Sequence, residues 1–236
     1  MKLVIPSKYD ILTLFYWRNV YGYSWFFANL IYILPAVAIA LSVHEFAHAF
    51  VSYKLGDISQ KQRGRLTLNP LKHLDPFGTL SLIFFGFGWA KPVQVDPYFY
   101  RNKKDGMIWT AMAGPLMNFI VGFLMVILYM LFIRFGLLYK NEFTYYLFQV
   151  IGTTASINIG LGIFNLIPIP PLDGSKILMG ILKEETYFKL MQYEMYLSFI
   201  MIFLLMSGVL DGPLIHAREA ILDVFVKAAS MITGLG

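Results

Sequence analysis

The chain contains no cysteine. Disulfides and thiolate metal ligands are therefore excluded, and any metal it holds must be bound by histidine or carboxylate. Charge is scarce as well: Asp, Glu, Lys and Arg make up 14% of the 236 residues, while hydrophobic residues make up 58%. With a mean hydropathy of +0.62, the chain lies well outside the ordinary soluble range. Acidic residues are the rarer sign, 14 against 19 basic ones, for a net charge of +5. The basic residues concentrate in two segments between apolar runs instead of forming one folded basic face. That is a membrane-topology pattern, and no nucleic-acid partner is expected. Repeats, low-complexity tracts and Gly-Ser linkers are also absent, and no stretch is left over for a separate soluble domain.

What is present is a series of long apolar runs. They describe an all-α polytopic membrane protein with about four transmembrane helices, at residues 25–53, 107–135, 143–167 and 190–210. Together they form a core over 25–210. Residues 1–24 mix apolar and aromatic side chains with Arg18 and Asn19, as in a segment lying at the lipid-water boundary. The first ten residues lack the apolar region and small-residue site of a cleaved signal peptide. Residues 213–236 place His216, Glu219, Asp223, Lys227 and Ser230 at three- and four-residue steps, which predicts an amphipathic helix docked on the bundle or the bilayer.

Between the first two spans, Phe77 to Ala90 is strongly apolar, yet too short and glycine-rich to cross. Residues 77–95 read as a re-entrant, partly β segment dipping into the membrane, with strand-like alternation at Leu66-Thr67-Leu68 and Val93-Gln94-Val95. Lys61, Arg63, Arg65, Lys72, Lys91, Arg101, Lys103 and Lys104 put residues 56–106 in the cytoplasm by the positive-inside bias. Four spans then leave both termini outside.

The chemistry lies near the end of the first span, at His44-Glu45-Phe46-Ala47-His48. Residues four apart share one helix face, so both imidazoles reach one metal while Glu45 reaches a water bound to it. Lys54 follows closely, so this site is submerged but near the cytoplasmic face. A catalytic zinc takes a third protein ligand. His73, Asp75, Asp96, Asp173 and His216 are the candidates. His216 is predicted external; His73, Asp75 and Asp96 sit beside prolines in polar loops, where turn roles explain them. Asp173 follows three prolines in four positions that must stop the third helix, but it equally fits a cap for a helix from Gly174 to about Lys183. On residues alone the third ligand stays open.

The pair HEFAH and NLIPIPPLDG (residues 165–174), with GRLTLNP, LDPFG and GFGWAKPVQVDP between them, resembles the site-2 protease family of intramembrane zinc metalloproteases. The resemblance covers roughly residues 28–185. It implies one Zn2+ per chain held by His44, His48 and Asp173, with Glu45 as catalytic glutamate. Asn165, which opens the second motif, would position substrate or stabilise oxyanion charge. Gly114 and Asn118 fit the family's G-x-x-x-N signature, making Asn118 a further candidate for that task, although Gly114 also suits close helix packing and Asn118 and Asn158 suit bonds between helices. The implied activity is regulated intramembrane proteolysis of membrane-protein substrates, single-span ones first, in a prokaryotic cell membrane. The branch implied is a compact one, without a PDZ or nucleotide-sensing domain.

Each ionised carboxylate at the centre of a membrane helix costs about 2.5–3.5 kcal/mol. Zinc binding, roughly 10–16 kcal/mol in small peptides, is large enough to offset two. The rival function is an intramembrane transporter that carries a divalent metal or protons on its His and carboxylate groups. It leaves Glu45, packed beside one closed site, without a task.

Overall fold

The computed structural model describes residues 11–85 and 88–235. The expectation for residues 1–10 lies outside them. Among the described residues nine α-helices follow one another: α1 (Ile11–Lys54), α2 (Ser59–Gln62), α3 (Pro76–Phe85), α4 (Lys103–Arg134), α5 (Glu142–Asn165), α6 (Asp173–Ile181), α7 (Glu184–Met191), α8 (Glu194–Ser207) and α9 (Asp211–Thr233). Three of them, over Gly22–Lys54, Lys103–Arg134 and Glu142–Asn165, are long and apolar enough to cross a membrane. Their bounds lie within a few residues of the first three expected spans.

These three helices pack against one another, and α9 lies along α4 and α5. The amphipathic pattern of α9 is thus used on the bundle, with Leu214, Leu222 and Ala229 buried. Local signals set the ends. Asn102 accepts from the backbone N–H groups of Lys104 and Asp105 to start α4, and Asn141 and Thr144 form a reciprocal capping box at the start of α5. Within α1 a break at Gly22, with φ 83°, separates the expected interfacial stretch from the span. Pro35 lacks the N–H that would bond to the Ile31 carbonyl; the Tyr146 hydroxyl of α5 donates to it instead, at 3.4 Å.

The fourth span is met only in part, and the small sheet is corrected. Alone, α8 has 14 residues, about 21 Å of rise, short of the ~30 Å hydrocarbon layer. Only with α7, which it meets at a 61° bend where Gln192 and Glu194 interrupt the apolar run, is it long and apolar enough for a broken span or a re-entrant pair. The small sheet is missing: among the described residues there is no strand, only an isolated antiparallel bridge between Leu74 and Ala90. The segment expected to alternate as a strand is irregular, and side chains take its backbone groups. Glu45 accepts the Val93 N–H, Gln60 and Arg63 donate to the Gln94 carbonyl, and Arg65 donates to those of Lys91 and Pro92. With those groups engaged, no neighbouring strand is needed to satisfy them.

Candidate active site

His44 and His48 lie one turn apart on the inner face of α1, their ring centroids 4.5 Å apart. Asp173, 125 residues after His48, is brought against them at the first residue of α6. The proline-rich stretch 168–171 ends α5 and turns the chain back. Gly174 permits the turn to close, because a Cβ there would collide with the carbonyl oxygens of Leu166 and Ile167. The Asp173 carboxylate does not cap its own helix. Its Oδ2 lies 3.1 Å from His44 Nε2 and 3.0 Å from His48 Nε2, which are 2.9 Å from each other, while Lys176 Nζ donates to Oδ1 at 3.2 Å.

The proton positions follow from the partners. His48 Nδ1 faces the Thr110 carbonyl at 2.6 Å, which accepts only, so Nδ1 carries the hydrogen. Asn118 donates through Nδ2 to the Ala40 carbonyl and to Asn158 Oδ1, which leaves its own Oδ1 to accept from His44 Nδ1 at 2.6 Å. In the neutral imidazoles both Nε2 atoms then present lone pairs, and they converge with a carboxylate oxygen. Three acceptors so close repel one another unless a cation lies among them. Two neutral imidazoles with oriented Nδ1–H groups and one carboxylate are a zinc donor set. The triangle's edges, 2.9–3.1 Å, fall a few tenths short of the roughly 3.4 Å of tetrahedral zinc.

Around this triangle, α4 approaches through Gly114, where a Cβ would collide with both imidazole rings. The glycine makes room for the rings themselves. Glu45, 8% exposed, accepts the Val93 N–H at 2.8 Å and lines a cavity of about 260 Å³ together with His44, His48, Asp173 and Asn165. Asn165 is half-buried and donates through Nδ2 to the Leu161 carbonyl at 3.0 Å. A second, apolar cavity of about 430 Å³ lies between α1, α3 and α8, and Trp89 lines both. The other ligand candidates go elsewhere. Asp75 and Asp96 accept the N–H groups of Gly78 and Tyr98 as turn carboxylates, and exposed His216 donates to the Gly212 carbonyl within α9. His73, expected in a solvated turn, is fully buried, its Nε2–H donating to the Thr67 carbonyl at 2.7 Å.

The profile of peptidase family M50 matches residues 135–208. Over 198 residues the chain is 37% identical to a Bacillus subtilis (strain 168) protein named "Putative zinc metalloprotease YwhC", covering 82% of this chain and 90% of that one. This chain belongs to peptidase family M50. The site-2 proteases are its zinc metalloproteases, as the paired motifs indicated. The Mycobacterium tuberculosis (strain H37Rv) protein Rip2, named in the same way, is 26% identical over 186 residues, 76% of this chain and 68% of its own. "Zinc metalloprotease MJ0392" of Methanocaldococcus jannaschii is 26% identical over 159 residues, 67% of this chain and 36% of its own. No solved structure gives a significant match.

Two groups behind the site in this M50 peptidase were not assigned to it from the sequence. Thr110 contributes a backbone carbonyl, which any residue carries. Asn158, visible as an interhelical asparagine, stands behind Asn118, and its own Nδ2 donates to the Thr154 carbonyl at 2.8 Å.

Proposed function

We propose that the chain is an intramembrane zinc endopeptidase that cuts peptide bonds within or near the transmembrane segments of single-span membrane proteins, close to the cytoplasmic face. The observation that carries the reading is the convergence of His44 Nε2, His48 Nε2 and Asp173 Oδ2 beside the Glu45 carboxylate in one cavity. His44, His48 and Asp173 would hold one zinc. Bound there, zinc supplies Lewis acidity toward water and the substrate carbonyl. Glu45 takes the proton from the attacking water and returns it to the leaving amine, general acid-base work worth about 10²–10⁴ in rate. The Val93 N–H aims the Glu45 carboxylate while it does so.

Asn165, half-buried on the cavity wall, is placed to hold the substrate backbone or donate to developing oxyanion charge, about 3 kcal/mol for a well-placed donor. For Asn118 the proposal changes. It is fully buried and both its amide hydrogens are engaged by protein groups, so it acts through His44, fixing that ring's tautomer and direction. The apolar cavity beyond Trp89 offers the substrate's hydrophobic segment a place beside the site. Phe77, Leu80 and Phe84 of α3 are exposed to the surroundings, which supports a re-entrant position for this helix.

The test is zinc analysis and cleavage of a single-span substrate by purified protein. Glu45→Gln keeps one zinc per chain and loses cleavage; Asp173→Ala loses both. A Glu45→Gln variant that still cuts, or an Asp173→Ala variant with full zinc, ends the proposal. Because the chain has no cysteine, single cysteines introduced between 56 and 106 report sidedness cleanly. Labelling from the cytoplasm is expected, as is labelling of both termini from outside.

A further inference from the structure

Asp57 follows α1 by three residues and is fully buried, as are Ser52 and Gln60. Gly56 turns the chain at this point, with φ 113° and no room for a Cβ against the Phe99 carbonyl. The turn aims the Asp57 carboxylate back under the helix end. Four donors meet it there: Ser59 N–H reaches Oδ1 at 3.0 Å, while Ser52 Oγ, Gln60 Nε2 and Asp96 N–H reach Oδ2 at 2.8, 2.7 and 3.1 Å. Burial pushes the acid up, but the hydrogen bonds from Ser59, Gln60, Asp96 and Ser52 outweigh it and hold its carboxyl below the ordinary carboxylate range.

Two arms leave this carboxylate. Ser52 spends its proton on Asp57, so the Tyr100 hydroxyl must donate to Ser52 Oγ, at 2.8 Å, and Thr110 Oγ1 must donate to Tyr100, at 3.1 Å. The hydroxyls thus point one way and end at the charge. Thr110 is the residue whose carbonyl holds His48 Nδ1–H. Along the other arm, Gln60 uses its second amide hydrogen on the Gln94 carbonyl at 2.8 Å, while Asp57 itself holds the Asp96 N–H. Those two bonds pin the stretch whose Val93 N–H grips Glu45.

We infer that Asp57 is a positioning residue serving both halves of the active site: through Tyr100 and Thr110 it sets His48, and through Gln60 and the Asp96 N–H it sets the Val93 donor that aims Glu45. This rests on the reading of His44, His48 and Asp173 as zinc ligands. A buried carboxylate with four donors is a point from which two separate strands of structure take a common position. Groups that orient a ligand from behind typically influence metal affinity or activity by about 10–100-fold.

Each arm is cut by a near-isosteric change: Tyr100→Phe removes one hydroxyl from the first, and Gln60→Met removes the amide from the second. Zinc affinity is measured by competition with a chromophoric chelator, kcat and KM on a single-span substrate at saturating zinc, and thermal unfolding on the same samples. Tyr100→Phe is expected to weaken zinc binding about tenfold. Gln60→Met should lower kcat by about tenfold while zinc affinity stays within about twofold. Asp57→Asn should show both losses together. If all three lower only the melting temperature and leave zinc affinity and kcat at wild-type values, Asp57 merely stabilises the loop and the inference falls. Failure of the underlying reading looks different: His48→Ala would then keep its zinc. Should Asp57→Asn not fold, the opposite signatures of the two arm variants decide alone.

Discussion

The two ends of α4 are built on opposite principles. Away from the metal triangle, Val126, Tyr129 and Met130 of α4 meet Phe148, Ile151, Ala155 and Ile159 of α5, with Leu222 and Ala229 of α9 closing the cluster. Nearer its start, α4 presents Thr110, Gly114 and Asn118 to the histidines of α1, with Asn158 of α5 bonded behind Asn118. The apolar end is held by dispersion and exclusion of solvent, spread over many atoms, so that one side chain can be exchanged for another of similar volume. At the polar end Thr110 has two named partners and Asn118 three, each at fixed distance, and no exchange preserves them. Stability and chemistry are thus carried by different stretches of α4, while α5 interleaves the two along one stretch.

The sharpest way to break that separation is Gly114→Ala. The added methyl meets both imidazole rings, and zinc affinity is expected to drop by at least about 100-fold, beyond what loss of a supporting hydrogen bond does. Chelator competition reads the change, and circular dichroism should show the helices intact. If zinc binding persists unaltered, the rings are not held as described.

Met130→Ala probes the other end. Truncating this side chain, 1% exposed, is expected to lower unfolding stability by about 2–5 kcal/mol. Zinc affinity and kcat of the folded fraction should stay put. A parallel loss of zinc would show that the two ends are coupled.

The smallest expected effect concerns acid. Asp57 titrates below an ordinary carboxylate, so just under the unfolded value of about 4 the unfolded chain binds the proton that the native chain refuses. Its contribution is complete above that value and fades as pH falls through the lower, native one. Asp57→Asn should flatten this acid limb in a pH series of melting temperatures. Parallel curves for the two proteins would remove Asp57 from the acid response.

Much of the fold was legible because its signals are local. Apolar runs marked α1, α4 and α5 to within a few residues, and the three prolines after Asn165 marked the end of α5. The shortfalls have two causes. Val93-Gln94-Val95 alternates like a strand, but the groups that claim its backbone, Glu45, Gln60 and Arg63, come from 30 or more residues away. No window of sequence reveals such partners. In α8 hydropathy averaged over the run hid a break of two residues.

By itself the amino-acid sequence determined that the chain resides in a membrane, that two histidines and a glutamate share one helix face, and that no thiolate takes part. Composition, helical period and the absence of a residue type are properties of the chain before it folds. Which carboxylate joins the histidines was decided only by tertiary structure, as was the acceptance of both Nδ1–H hydrogen bonds by groups of α4. Asp57, silent in the sequence, belongs with them. Such facts depend on where distant backbone and side-chain atoms meet, and only packing brings those atoms within hydrogen-bonding distance.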